Sequence, residues 1–212
     1  MPNTRARATD HSHPRPGRGA PPVLLVIGAH RGELGFGEQV AARLDPATFA
    51  VLRIPLGLSG QRPLPDELAS WRRRHGELYL QILERVKPGQ QLIIDLHTGI
   101  DELRRSADVF CAAQSLLARI ASAGPLDGDP VRGIQLVADT GGAFADLAGV
   151  RPFPFPLARP DLPPMVWDRA TPRYVGVEVY IAREGSGSPD EHAFAADLLR
   201  RIVACAMAGG DR

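Results

Sequence analysis

The chain has 212 residues, of which 44% are hydrophobic and 23% charged, as is typical of a globular protein with a single core. Because 25 Lys and Arg residues nearly balance 24 Asp and Glu residues, the net charge of +1 provides no long-range field to attract nucleic acid or an anionic membrane. No apolar stretch approaches the roughly 20 residues that span a bilayer. We therefore expect neither nucleic acid nor a membrane as a partner.

The two cysteines, Cys111 and Cys205, lie in apolar segments, which is typical of buried free thiols. Two cysteines do not make the disulfide framework of small secreted proteins, so we expect a cytoplasmic location. Residues 1–21 are rich in Arg, Pro and Gly and lack the apolar core of a signal peptide, so they are predicted to be a retained, disordered tail. The predicted domain then covers residues 22–212.

Within this domain, apolar runs alternate with helical patterns. Branched apolar segments predict buried strands at VLLVIG, FAVLRI, QLIIDLH, DVFCAA, GIQLVA and YVGVEVYI. Apolar residues at helical spacing predict helices at GEQVAARL, DELASWRRRHGELYLQILERV, QSLLARIASAG and DEHAFAADLLRRIVACAMA. The alternation indicates a single α/β domain with a mixed, mostly parallel sheet and helices on both faces.

The segment 149–172 interrupts the alternation with many prolines, which neither a central strand nor a regular helix accommodates. We predict a long surface loop there. Because loops of this length often cover a functional cleft, a role as a lid is a hypothesis for this segment.

The turn after the first predicted strand contains His30 and Glu33. In open α/β sheets, ligands bind beyond the carboxyl ends of the strands, where this turn is expected. Gly32 lets the chain curl so that the two side chains converge, and Gly35 and Gly37 leave the following backbone uncrowded. A His-x-x-Glu pair by itself is common on protein surfaces. It indicates a metal site only together with a third ligand.

A third candidate ligand is His97, at the end of the predicted strand QLIIDLH. Strand side chains alternate between faces, so Asp95 and His97 share one face. Asp95 is then expected to accept a hydrogen bond from the imidazole and to orient it for a metal ion. The alternative is a polar pair that caps the next turn.

Glu178 is an acidic residue inside the apolar segment YVGVEVYI. Burying a carboxylate among valines is costly unless it has a partner or a task, and a desolvated carboxylate is suited to act as a general base. The alternative is an edge strand that exposes Glu178 to solvent. Glu184, in the predicted loop AREGSGS, is a rival candidate for the base.

The order HRGE, an arginine in SGQRP, DLHTG and a late glutamate in a strand resembles the zinc carboxypeptidase superfamily, particularly its succinylglutamate desuccinylase and aspartoacylase branch. The resemblance implies that His30, Glu33 and His97 bind a zinc ion and that Glu178 is the general base. It also implies that Arg62 binds a substrate carboxylate, for which the planar guanidinium is well suited.

The resulting hypothesis is a zinc-dependent hydrolase that cleaves an amide bond of an N-acyl amino acid or a C-terminal peptide, with a small molecule or short peptide as its substrate. A second hypothesis is a non-catalytic small-molecule binding or regulatory domain with a vestigial metal site. A third is a nucleotide-binding turn, but the glycines after the first strand do not reproduce G-x-G-x-x-G. No oligomeric state is predicted.

The long helical pattern contains the basic cluster Arg72–Arg74, which is predicted to be a solvated helix face. His75 and His192 are predicted to be surface residues, whereas Trp71 and Tyr79 are predicted to pack inward. Two arginines after the His97 turn are further candidates for binding an anionic substrate: Arg104 and Arg105.

Overall fold

The computed structural model describes residues 19–59, 63–138 and 154–208, in which strands alternate with helices. The tail up to residue 18 and Arg62 lie outside the described residues. The strands are β1 (Val23–Ile27), β2 (Phe49–Arg53), β3 (Leu92–Ile100), β4 (Ser106–Cys111), β5 (Val131–Leu136), β6 (Leu157–Ala158) and β7 (Arg173–Ile181). The helices are α1 (Leu34–Ala41), α2 (Leu68–Glu84), α3 (Gln114–Ser122), α4 (Pro164–Trp167) and α5 (Pro189–Ala208).

The strands form one seven-stranded sheet in the order β2-β1-β3-β7-β4-β5-β6. Among the pairings of the described strands, only β7 with β4 is antiparallel. The prediction of a mixed, mostly parallel sheet is therefore confirmed. The last strand along the chain, β7, lies in the interior of the sheet, so the edge position considered for Glu178 is wrong.

Helices cover both faces of the sheet, as predicted. On one face, α1, α3 and α5 pack side chains such as Phe36, Leu117 and Leu198 onto the sheet. On the other face, α2 and α4 pack Tyr79 and Trp167 onto it. The strand β1 is buried along its whole length, as expected for a parallel strand covered on both sides.

The proline-rich segment differs from the predicted surface loop in the part that the structure describes. It contributes the short strand β6 at the edge of the sheet and the four-residue helix α4. Pro164 is compatible with α4 because the first turn of a helix needs no backbone N–H donor. The helix buries Val166 and Trp167 against the sheet. The many prolines around them hid this apolar pair in the sequence.

His192 was predicted at the surface, but it is buried because its ring packs against Phe36 and bonds to the Ser186 carbonyl. Cys111 is a buried free thiol as predicted, whereas Cys205, also free, is only partly buried. None of the helices in the described ranges is both long and apolar enough to cross a membrane.

We expect Gly37→Ala to destabilise the protein because α1 approaches β1 closely at this position. A Cβ on Gly37 would lie 2.6 Å from Cβ and 2.8 Å from Cγ2 of Ile27. Overpacking of this kind lowers the free energy of unfolding by about 1–3 kcal/mol. Urea denaturation would measure the change.

The matched control is Gly35→Ala in the same helix, where the nearest contact would be an ordinary 3.5 Å to Cβ of Ser186. Alanine favours helix over glycine, so this variant is expected to be as stable as the wild type or up to about 1 kcal/mol more stable. Equal destabilisation by the two substitutions would contradict the close approach of α1 to β1.

Candidate metal centre

The candidate site lies beyond the carboxyl end of β1, beside the last residues of β3. The turn after β1 carries His30 and Glu33, and Gly32 adopts a positive φ of 93° there, as its predicted role requires. The segment after β2 fixes the turn, because Arg31 N donates to the Leu58 carbonyl at 2.7 Å. The pairing of β1 with β3, in which Ile27 lies opposite Leu96, places the turn beside His97.

The three predicted ligands converge. Ligand atoms of His30, Glu33 and His97 all lie within 4.8 Å of one another. Oε1 of Glu33 is 3.4 Å from Nδ1 of His30, and Oε2 of Glu33 is 3.1 Å from Nδ1 of His97. Because zinc–ligand bonds measure about 2.0–2.2 Å, ligands around a tetrahedral ion lie roughly 3.3 Å apart. The donor types suit zinc, and the two separations to Glu33 match those around such an ion.

His97 is held from its other side by Asp95, as predicted. Its Nε2 donates to Oδ2 of Asp95 at 2.7 Å, and Asp95 is completely buried. An imidazole that donates from Nε2 to a carboxylate directs Nδ1 toward Glu33. The proton on Nε2 is assigned from this hydrogen bond.

Before any ion binds, the carboxylates and imidazoles stabilise one another's charge. Burial raises the pKa of Glu33, but hydrogen bonds from His30 and His97 outweigh it and lower the pKa to about 2. Burial disfavours a charge on His97, but Asp95 and Glu33 together raise its pKa well above the ordinary value. A metal ion bound here would replace the proton between Nδ1 of His97 and Oε2 of Glu33.

Glu178 faces the same cavity from the neighbouring strand. It is the register partner of His97 in the parallel pairing of β3 with β7, and the two residues line a cavity of about 770 Å³. Burial raises the pKa of Glu178, and the carboxylates of Asp108 and Glu33 raise it further, although His97 and His30 act in the opposite direction. Its rival Glu184 also lines the cavity, but in an exposed loop.

The glycine of DLHTG leaves room for the Glu178 carboxylate. A Cβ on Gly99 would lie 2.9 Å from Oε1 of Glu178 and 2.7 Å from the ring of Tyr180. Any larger residue at this position would displace one of these side chains. Gly99 thus contributes to the geometry of the site through the space that it leaves free.

The cavity is also lined by a positively charged side chain, Arg31, for which the sequence predicted no role in the site. Arg31 lines it between the two ligands of the turn, and its Nε donates to the Gly57 carbonyl at 3.1 Å. Among the described residues, the two terminal nitrogens of Arg31 have no hydrogen-bond partner. Arg31 is also the one Lys or Arg among the described lining residues. The place of Arg31 between His30 and Glu33 in HRGE was the sequence signal that could have predicted its position in the cavity.

The other candidate arginines do not reach the described part of the cavity. Arg105 bonds to Asp129 at 2.6 Å and packs on the ring of Phe194, so it supports the fold. Arg104 is exposed and is not among the described lining residues. Arg62 lies outside the described residues, so its predicted role stays a prediction.

A face of α2 packs behind the two histidine ligands. Trp71, His75 and Tyr79 are spaced four residues apart and therefore share one helix face. His75 stacks on Trp71 at 4.5 Å between ring centroids and faces the His30 ring at 5.8 Å. His75 is 7% exposed, so its predicted surface position is wrong, whereas the inward packing of Tyr79 is confirmed.

No protein-family model matches the sequence, and no curated protein matches it. A crystal structure of an alanine mutant of murine aminoacylase 3 aligns over 91% of this chain and 65% of its own, with 12% identity and a TM-score of 0.49. A bacteriophage poly-gamma-glutamate hydrolase aligns over 88% of this chain and 85% of its own, with 15% identity and a TM-score of 0.47. The N-acetylmuramoyl-L-alanine amidase AmiC2 of Nostoc punctiforme aligns over 92% and 100%, with 14% identity and a TM-score of 0.39.

The chain thus spans just under two thirds of the length of the murine protein. Identities and TM-scores at these levels assign the chain to no family.

Metal binding by these residues is expected to strengthen as the pH rises, beyond the ordinary titration range of histidine. A metal ion that uses Nδ1 of His97 competes with a proton whose pKa is raised above 6.5. Affinity should therefore rise by about ten-fold per pH unit below that raised pKa and level off above it. Glu33, with a pKa of about 2, stays ionised in this range and does not contribute to the pH dependence of the affinity.

Chelator competition from about pH 6 to about pH 9 would measure this dependence. An affinity that levels off below pH 6.5 would contradict the coupling of His97 to the two carboxylates.

Proposed function

We propose that this protein is a zinc-dependent hydrolase that cleaves an amide bond of an N-acyl amino acid or a C-terminal peptide. One observation carries the proposal: the ligand atoms of His30, Glu33 and His97 lie within 4.8 Å of one another in the cavity that Glu178 also lines. Two imidazoles and one carboxylate are the donor set of open catalytic zinc sites. Structural zinc sites are instead closed by four protein ligands, often cysteines.

His30, Glu33 and His97 would hold the ion. When bound, zinc supplies Lewis acidity, which polarises a scissile carbonyl and lowers the pKa of a coordinated water toward about 7. The protein residues would position the substrate and move the proton.

Glu178 is suited to the role of general base. It lies beside His97 in the sheet, and burial raises its pKa, so it is a stronger base than an exposed glutamate. In the proposed reaction, Glu178 takes the proton from the attacking water. It then donates this proton to the leaving nitrogen as the C–N bond breaks, so that the acid and the amine are released.

The cavity has the size for a small substrate, and Arg31 offers it one cation. Its volume of about 770 Å³ falls within the range of small-molecule sites. The terminal nitrogens of Arg31 are suited to a bidentate contact with a carboxylate, since only Nε is engaged within the described structure. N-acyl amino acids and C-terminal peptides both carry such a carboxylate, and Arg62 is a second proposed contact for it.

Substitutions should separate metal binding from catalysis. His30→Ala and His97→Ala each remove a ligand, so the purified variants should lose stoichiometric zinc. Glu178→Gln keeps the ligands and removes the base, so it should retain zinc while kcat falls by about 100-fold or more. Zinc analysis and a hydrolysis screen of N-acyl amino acids and C-terminal peptides would measure both effects.

Glu184→Gln is the matched control, because Glu184 lines the cavity from an exposed loop. It should keep both zinc and most of the activity. Full zinc content in both histidine variants would reject the metal site. A wild-type protein that binds zinc and hydrolyses none of these amides would favour the non-catalytic binding domain.

Arg31→Gln is expected to raise KM for substrates that carry a carboxylate. Loss of charge-assisted hydrogen bonds should increase KM by about ten-fold or more, and the corresponding carboxamide substrates should be affected little. The control is Arg74→Gln, on the exposed surface of α2. An equal change in KM for the acid and the carboxamide would show that Arg31 does not bind the carboxylate.

A further inference from the structure

Three hydrogen-bond donors converge on one oxygen of the buried Asp95. Oδ2 accepts from Nε2 of His97 at 2.7 Å, from the Tyr79 hydroxyl at 2.5 Å and from the Tyr174 hydroxyl at 3.0 Å. The other oxygen, Oδ1, is buried and has no hydrogen-bond partner among the described residues. The orientation of the carboxylate therefore depends on the donors to Oδ2.

These donors come from three different elements of the fold. His97 lies on β3, Tyr79 on α2 and Tyr174 on β7. Both tyrosines are buried, at 2% and 4% exposure. Burial raises the pKa of each hydroxyl well above its ordinary value, so both remain protonated donors. A carboxylate held from a helix and an adjacent strand has little freedom to rotate.

We propose that Tyr79 and Tyr174 are positioning residues for the metal centre, which hold Asp95 so that His97 directs Nδ1 toward Glu33. This inference rests on the proposed zinc site. The hydroxyls are not among the three candidate ligands, and they would act through Asp95 and the His97 ring. Substitution of residues that hydrogen-bond to metal ligands, or hold such residues in place, commonly lowers metal affinity by about 10- to 100-fold.

The packing of α2 supports the same role. Tyr79 is 4.9 Å from the His75 ring between centroids, and His75 in turn faces His30. Nδ1 of His75 is 3.2 Å from the Asp161 carbonyl, to which it donates, so its ring is fixed as well. One face of α2 therefore restrains both candidate histidine ligands. Tyr79 acts on His97 through Asp95, and His75 packs against the ring of His30.

A purely structural role for the tyrosines predicts a different result. If the hydroxyls only satisfy a buried carboxylate, their removal lowers the free energy of unfolding and leaves zinc affinity unchanged in the folded protein. If they position His97, zinc affinity falls even in protein that remains folded. Metal affinity and stability must therefore be measured on the same variants.

The test uses the full chain with Tyr79→Phe, Tyr174→Phe and the double substitution. Zinc affinity is measured by chelator competition, and the visible spectrum of bound Co²⁺ reports the ligand geometry. We expect each single variant to weaken zinc binding by about ten-fold or more, the double variant to weaken it further, and the Co²⁺ spectrum to change. Unfolding of the metal-free proteins gives the stability.

The matched control is Tyr180→Phe, which removes a hydroxyl that donates to a different buried carboxylate, Oδ2 of Asp108, at 3.1 Å. Asp108 keeps its hydrogen bonds from Arg132, so this variant should lose little stability and keep the zinc affinity of the wild type. If Tyr79→Phe does not fold, Tyr174→Phe tests the same claim from the other side of Asp95.

Wild-type zinc affinity and an unchanged Co²⁺ spectrum in both folded Tyr79 and Tyr174 variants would overturn this inference alone. An equal loss of affinity in Tyr180→Phe would also overturn it, because the effect would then not be specific to Asp95. A wild-type chain that binds no zinc would overturn the proposed function together with the inference.

Discussion

The parallel pairing of β1 with β3 is the constraint on which the site depends. In its register Ile27 lies opposite Leu96, so the turn after β1 begins where His97 projects from β3. Because parallel strands end at the same edge of a sheet, Glu33 reaches Nδ1 of His97 at 3.1 Å across 64 residues of sequence. A slip by one residue would turn His97 to the opposite face and separate it from Glu33.

The pairing of β3 with β7 places a second carboxylate, that of Glu178, beside His97, in an environment that differs from that of Glu33. Glu33 accepts hydrogen bonds from two imidazoles and has a pKa of about 2. Glu178 accepts no hydrogen bond from any described residue, and burial raises its pKa. When their environments separate the pKa values of two carboxyl groups, the two groups are suited to different roles in a site. The low value suits a permanent metal ligand, and the raised value suits a group that takes up and releases a proton.

Local sequence patterns predicted the main helices and every described strand except β6, because these elements depend on neighbouring residues. The convergence of His30, Glu33 and His97 was expected instead from the rule that ligand sites lie beyond the carboxyl ends of strands in an open α/β sheet. The local patterns did not predict that β7 lies between β3 and β4, since strand order is decided by packing between distant segments. The burial of His75 was missed because Arg72–Arg74 made this part of the helix look solvated. The four-residue spacing of Trp71, His75 and Tyr79 was the better indication, and it marks the face that packs behind the histidine ligands.

The two faces of the sheet differ in a way that locates the chemistry. The face under α1, α3 and α5 is filled by apolar side chains such as Phe36, Phe194 and Leu199. The face under α2 combines apolar contacts with a fully buried aspartate and two tyrosine hydroxyls. Buried charges seldom stabilise a fold more than apolar groups of the same size would, and a buried polar network must be satisfied to be tolerated. Stability alone therefore does not account for Asp95, whereas holding His97 at a fixed orientation does.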